Sequence, residues 1–298
     1  MNSRQQHIVR LAVLVGLILF GMSGYVWWTK IYTNPERIFW GAAANNLATT
    51  GVTRSTENEA AAGATPQITQ LQLGGRNIAI TNKALNDGAG NEIKTQTIIT
   101  PQQTYTRITD IKTNNKAITK QQRALVLDVW AKSETPHAAV SQAFVVAASG
   151  ALPSLPVANL AAQQRDEILQ DMKSNKAYVV DFAKAKKETY NGRQVRVYDV
   201  TINIESFVAM LKKLGGMTGT KEYQDVEPRK YHGQTIEGIR FAIDTKSRQL
   251  VYVYDSNNKF RETYSSYGVA VMAGLPTQTI PESELQSRFT QLGSASQQ

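Results

Sequence analysis

The chain has 298 residues, with 33 lysines and arginines against 24 aspartates and glutamates, for a formal net charge of +9. It contains no cysteine, which excludes a disulfide framework, a zinc ribbon, an iron–sulfur cluster and a cysteine nucleophile. The hydrophobic fraction of 42% is too high for a disordered chain and too low for a polytopic membrane protein.

The first feature along the chain is an uncharged apolar run at residues 11–29, long enough to cross a hydrocarbon core of about 30 Å. Trp27 and Trp28 stand at its far end, and such aromatics prefer the membrane–water interface. A cleaved signal peptide is the alternative, but its apolar region is normally shorter and ends at small residues. The run predicts an uncleaved single-pass helix. Because Arg4 and Arg10 precede it and a long domain follows, we expect the N-terminus to be cytoplasmic and the remainder extracytoplasmic.

The positive charge behind this segment is dispersed. No run of five or more lysines and arginines occurs, so the sequence predicts no nucleic-acid partner. An outer domain with a moderate positive charge would be drawn weakly to anionic lipid headgroups.

The first half of the predicted outer domain is mostly strands. Asn34, Pro35 and Glu36 form a typical helix start, and helical spacing continues to Gly51. Residues 53–65 are polar and predict a loop or a frayed strand. From there the hydrophobic period is two, which predicts strands at 68–73, 77–81, 93–100, 104–111 and 124–130.

The second half mixes helices and strands. Helices are predicted at 159–173, 205–214 and 282–292, and strands at 195–204, 236–244, 249–254, 260–267 and 267–273. Short polar connections between the last strands are typical of hairpins. This order of elements predicts one α+β domain with a large antiparallel sheet.

The search for catalytic residues finds little. His7, His137 and His232 are far apart in the sequence, and no metalloprotease, nucleophile-elbow or phosphate-loop pattern is present. Residues 256–259 match a bare Ser-x-x-Lys pattern, but they fall in a predicted hairpin turn. A hydrolase would need a cluster built from distant positions around His137 or His232. The sequence therefore predicts no enzyme activity, no catalytic residue, no metal site and no cofactor.

Several stretches resemble the LolA-like superfamily of extracytoplasmic carriers, which includes the LppX/LprG-type lipoproteins. They are the 34–36 helix start, GRQVRVYDVTINI at 192–204, IRFAIDTKSRQLVYVY from Ile239, Tyr-Ser-Ser-Tyr-Gly at 264–268 and Leu-Pro at 275–276 before the final helix. The chain departs from the family in having a predicted anchor helix instead of a lipid on cysteine. The region 53–65 is also poorly matched.

The resemblance implies a curved half-barrel whose concave face binds acyl chains. The expected fold is thus α+β, with an N-terminal transmembrane helix followed by a large curved antiparallel sheet and a few covering helices. The expected organisation is a cytoplasmic tail at 1–10, the transmembrane helix at 11–29, the carrier-like domain at 30–292 and a disordered tail at 293–298. The expected function is binding of a membrane lipid or lipoprotein acyl chain, as carrier or sensor. The alternative is a structural or signalling module of the cell envelope that binds a partner protein through the same sheet.

Strand alternation predicts which residues would line a lipid site. Ile239, Phe241 and Ile243 share one face, because alternate residues of a strand do. On the earlier strand the same argument selects Tyr198, Val200 and Ile202. Either Leu250, Tyr252 and Tyr254 or Val251 and Val253 lie beside them, and Val251 and Val253 are favoured because tyrosine hydroxyls are more easily satisfied on a wet face. Sequence leaves open whether these residues enclose a cavity or form a packed core.

Overall fold

The computed structural model describes residues 16–17, 20, 22–24, 33–59, 65–74, 77–86, 90–114, 119–271 and 274–294. The helices are α1 (Pro35–Ala48), α2 (Lys120–Ala124), α3 (His137–Ser149), α4 (Ala162–Ser174), α5 (Ile204–Thr218), α6 (Lys221–Gln224) and α7 (Glu282–Ser294). The strands of the first half are β1 (Gly51–Asn58), β2 (Gln67–Gln72), β3 (Ile78–Asn86), β4 (Glu92–Ile99), β5 (Thr104–Lys112) and β6 (Ala131–Lys132). Those of the second half are β7 (Tyr178–Val180), β8 (Lys186–Tyr190), β9 (Arg193–Asn203), β10 (Thr235–Asp244), β11 (Leu250–Asp255), β12 (Phe260–Ser265) and β13 (Ile280–Pro281).

The thirteen strands form one open mixed sheet in the order β13-β6-β5-β4-β3-β2-β1-β12-β11-β10-β9-β7, and β8 also pairs with β9. Every pairing between these strands is antiparallel except that of β13 with β6, so the predicted antiparallel sheet is confirmed. The two halves of the chain meet where β1 pairs with β12.

The predicted fold class is wrong in its membrane span. Most of the predicted transmembrane helix at 11–29 lies outside the described residues. Within the parts of the chain that the structure describes, no helix is both long and apolar enough to cross a membrane. The structure is an α+β fold with a large open mixed sheet and several helices. The extracytoplasmic location and the domain boundaries stay predictions.

Local signals account for the elements that were placed correctly. Helix α1 begins as expected, because Asn34 Oδ1 accepts a hydrogen bond from the Arg37 backbone N–H at 3.2 Å and Pro35 follows at the first helical position.

The predicted strand at 124–130 is wrong. Residue 124 ends the short helix α2, which begins at a reciprocal capping box between Thr119 and Gln122, and in 125–130 only Leu127 forms a bridge, an isolated parallel one to Ile108. The predicted strand at 267–273 is also absent from the described residues up to 271.

The main core lies between α1, α4 and α5 and the second-half strands. Phe39 of α1 stacks on Phe241 of β10, with ring centroids 6.1 Å apart, and meets Tyr198 of β9 edge-on at 5.4 Å. Such aromatic contacts add to the free energy gained by burying the rings. This half of the sheet is therefore firmly covered by helices, while α3 lies over the other half against β2, β3 and β4.

Candidate functional site: a cleft beneath helix α3

Seven of the eight residues predicted to bind a ligand lie in the packed core. They share one cluster, in which each side chain is at most 2% exposed, and they are Tyr198, Val200, Ile202, Ile239, Phe241, Ile243 and Val253. The clefts described below do not include any of them. Their role as ligand-binding residues stays a prediction, whereas their observed contribution is to core packing.

Val251 is placed differently from the register favoured by the sequence. Ala242 pairs with Tyr252 but Ile243 pairs with Leu250, so Val251 is the extra residue of a β-bulge. The bulge turns Val251 to the opposite face of the sheet, and Leu250 instead joins Val253 in the main core. Alternation alone gives no sign of a bulge, because the apolar residues continue without a break through this strand.

A cleft of about 520 Å³ lies between α3 and the first-half strands, and we call it the α3 cleft. Its helical wall carries small or medium apolar side chains and one amide, from Ala139, Gln142, Ala143, Val146 and Ala147. Their spacing of three and four residues places them on one face of the helix. Val146 is 63% exposed, so this apolar face is not sealed against the sheet.

The floor of the α3 cleft is a polar row that crosses four strands. Arg54, Thr69, Thr81 and Thr97 stand directly opposite one another on β1, β2, β3 and β4, and therefore point to the same side. The hydroxyl oxygens of Thr69 and Thr81 are 3.2 Å apart. Each threonine adds a methyl group beside its hydroxyl, so the floor combines hydrogen-bonding groups with apolar surface.

A buried ion pair closes one side of the cleft. Arg54 Nε lies 3.4 Å from Glu262 Oε1, and the two side chains are 3% and 0% exposed. Arg54 also donates to the backbone carbonyls of Ala147 and Ala148, the latter at 3.1 Å. These carbonyls belong to the last turn of α3, where helical partners are missing and a positive charge is favourable. Arg54 therefore attaches the C-terminal end of α3 to the sheet.

Glu262 attaches the segment that follows the helix. Its Oε2 accepts hydrogen bonds from the backbone N–H groups of Ala151 at 2.9 Å and Leu152 at 3.2 Å. Between helix and segment stands Gly150, with φ of +89°, a conformation that side chains disfavour. A Cβ at this position would lie 2.6 Å from both Arg54 Nη1 and Glu262 Oε1. The close approach of the ion pair thus requires glycine.

The cleft carries no net charge. Among the described residues that line it, Arg54 and Glu262 are the only ionisable side chains, and their charges cancel. Glu262 Oε1 and Arg54 Nε are both buried and face each other as the ion pair, and neither forms a hydrogen bond within the described residues. Beside them, burial and the Glu262 charge raise the pKa of the Tyr264 hydroxyl well above its usual value, so this tyrosine is neutral.

Helix α3 is flanked by a second space on its other side. A smaller cleft of about 230 Å³ separates α3 from α5 and is lined by Phe144, Val145, Leu214 and Tyr223, among others. The helix therefore has open volume on both flanks, in contrast to α1, whose Phe39 is fully buried.

A metal centre in the described part of the chain would need a cluster of His, Asp or Glu side chains. Within the described ranges, no group of three or more His, Asp or Glu side chains is placed to hold a metal ion. His232 lies on the surface, where its Nδ1 is 2.7 Å from Glu205 Oε2. Neither residue of this pair lines the α3 cleft.

The sequence carries one local signal for the α3 cleft. The Ala-rich stretch 138–148 has apolar residues at helical spacing, a pattern that indicates the helix observed over 137–149. Arg54 and Glu262 carried no such signal, since each is a charged residue in an alternating strand and their partnership spans the whole chain.

Comparison with known proteins adds no relative: no family model and no curated protein matches this sequence. The resemblance to the LolA-like superfamily therefore stays a prediction, and the functional argument depends on the geometry of the α3 cleft.

Proposed function

We propose that this protein is a non-enzymatic binding protein that holds the acyl chain of a lipid in the α3 cleft. The observation that carries the proposal is the unsealed apolar face of α3 above the threonine floor. The volume of about 520 Å³ lies within the range of roughly 300–1,000 Å³ that is typical of small-molecule sites. An apolar chain is the chemistry that such a wall would favour.

Burial of an acyl chain can supply enough binding free energy without specific polar contacts. Each buried methylene group contributes about 0.8 kcal/mol, so a chain of ordinary length offsets the cost of association. The firmly packed second half of the sheet holds the floor strands in place through the β1–β12 pairing, which gives the cleft a rigid side. The proposal thus moves the site from the strands predicted by sequence to the space beneath α3.

Uptake of the neutral dye Nile red, which fluoresces in apolar surroundings, tests the proposal on the purified full chain. Val146→Trp should fill the cleft and weaken dye binding by about tenfold or more, that is by ~1.4 kcal/mol. Val179→Trp is the matched control, because Val179 is also about half exposed, at 51%, but lies on the edge strand β7. Both positions are exposed, so neither variant should lose more than about 0.5 kcal/mol of stability.

Mass spectrometry of organic extracts from the purified protein supplies the second measurement. Lipid at near-stoichiometric amounts, reduced in Val146→Trp and retained in Val179→Trp, would support the proposal. Absence of both lipid and dye binding would contradict it and would favour the alternative of a module that binds a partner protein.

A further inference from the structure

The balanced charges of Arg54 and Glu262 in the α3 cleft restrict which polar head groups its ligand can carry. We propose that the ligand's polar head is uncharged and hydrogen-bonding, of the acylglycerol or fatty-amide class, and that lipids headed by a free carboxylate, a phosphate or an ammonium group are disfavoured. This inference rests on the proposed acyl-chain function and specifies which lipids the same site would accept.

The first step concerns Arg54, the only cation among the described lining residues. An anionic head would need its charge, but Glu262 already lies 3.4 Å away and the Ala147 and Ala148 carbonyls take its terminal nitrogens. A second anion beside Glu262 would leave one negative charge uncompensated in a buried site, which is strongly unfavourable.

The second step concerns Glu262, the corresponding anion. Its Oε2 is occupied by two backbone N–H groups, and its charge is balanced by Arg54. A cationic head would have to compete with a guanidinium that is already in place. Among the described residues that line the cleft, neither sign of charge therefore finds a free countercharge.

The third step concerns what the cleft does offer. Gln67 and Gln142 line the cleft, and their side-chain amides can donate to and accept from a neutral hydroxyl or amide. The floor hydroxyls of Thr81 and Thr97 lie 3.2 Å from Thr69 Oγ1 and 3.3 Å from Thr106 Oγ1, and each keeps the capacity for a further hydrogen bond, since a hydroxyl has one donor and two acceptor sites. A head with hydroxyl or amide groups would satisfy these atoms without adding charge.

Displacement of Nile red from the full chain tests the inference with three ligands that share a dodecyl-length chain. They are 1-monolauroylglycerol, laurate and dodecyltrimethylammonium, compared at about pH 8, where the carboxylate is ionised. The neutral monolauroylglycerol should displace the dye at a concentration about tenfold or more below that of either charged ligand.

The outcomes separate the two proposals. Equal displacement by all three ligands, or tighter binding of a charged one, would overturn the inference and leave acyl-chain binding intact. Failure of Nile red and of every ligand to bind would overturn the proposed function, and the inference with it.

Two variants check that the ion pair and the floor set the preference. Glu262→Gln leaves Arg54 uncompensated, so the preference for monolauroylglycerol over laurate should fall by about tenfold. Glu188→Gln removes a carboxylate from the exposed edge strand β8 and should leave the preference unchanged. Thr97→Val removes a floor hydroxyl without adding charge, and it reports on the floor even if Glu262→Gln folds poorly. A preference unchanged in both Thr97→Val and a folded Glu262→Gln would contradict the inference.

Discussion

The buried pair of Arg54 and Glu262 makes a sharp prediction about stability. Glu262→Gln removes the negative charge from a side chain that is 0% exposed and leaves the Arg54 guanidinium without a countercharge. Breaking a buried pair in this way costs about 3–5 kcal/mol. The glutamine oxygen can still accept from the Ala151 and Leu152 N–H groups, so we expect little further cost from unsatisfied backbone donors.

A double-mutant cycle isolates the electrostatic part. Arg54→Met alone leaves Glu262 charged and buried, and it also removes the donors to the last turn of α3, so it should cost at least as much as Glu262→Gln. In the combined variant neither charge of this pair remains. We therefore expect the combined loss to be smaller than the sum of the single losses by about 2–3 kcal/mol.

Urea unfolding followed by tryptophan fluorescence measures these differences, provided that the slope of the transition is the same in all four proteins. The exposed change Glu188→Gln serves as the control and should stay within about 0.5 kcal/mol of the parent. A loss below about 1 kcal/mol for Glu262→Gln, or strict additivity in the cycle, would refute the interpretation of this pair as a charge-balanced unit.

The remaining predictions concern the core, the loop after α3 and the buried tyrosines. Phe241→Ala should lower the free energy of unfolding by about 3–5 kcal/mol and Val251→Trp by about 1–3, because both side chains are buried; urea midpoints near that of the parent would contradict this. Gly150→Ala should cost about 1–3 kcal/mol in the same assay, since φ is +89° and the new Cβ would contact the ion pair; an unchanged midpoint would show that the loop relaxes freely. Burial raises the pKa of Tyr178 and of Tyr267, whose hydroxyls donate to backbone carbonyls. The stability that depends on the protons of these two hydroxyls is complete below about pH 10 and is lost as the pH rises further. Their tyrosinate absorbance should therefore appear only together with unfolding. Ionisation of either tyrosine in the folded protein would contradict this prediction.

The lipid-site residues predicted from the sequence show what strand alternation can and cannot predict. Alternation correctly grouped Ile239, Phe241 and Ile243 with Val253 on one face, because residues two apart in a regular strand must point together. It failed at Val251, where a bulge adds one residue and reverses the side on which the chain points. Whether the grouped residues line a cavity depended on the helices above them, and the packing of Phe39 against Phe241 closes that space.

What the sequence by itself determined is local in origin. The cap at Asn34 and Pro35 sets the start of α1, and the alternation from residue 235 onward sets the antiparallel strands β10 to β12, because caps and hairpin turns act between residues a few positions apart. The tertiary structure alone decided that the polar segment of β1 lies in the middle of the sheet beside β12. It also decided that Arg54 meets Glu262 beneath the end of α3. The β1–β12 pairing and the Arg54–Glu262 contact join residues some two hundred positions apart. Their free energy comes from desolvation and from pairing that exists only after the sheet has formed, so no local pattern encodes them.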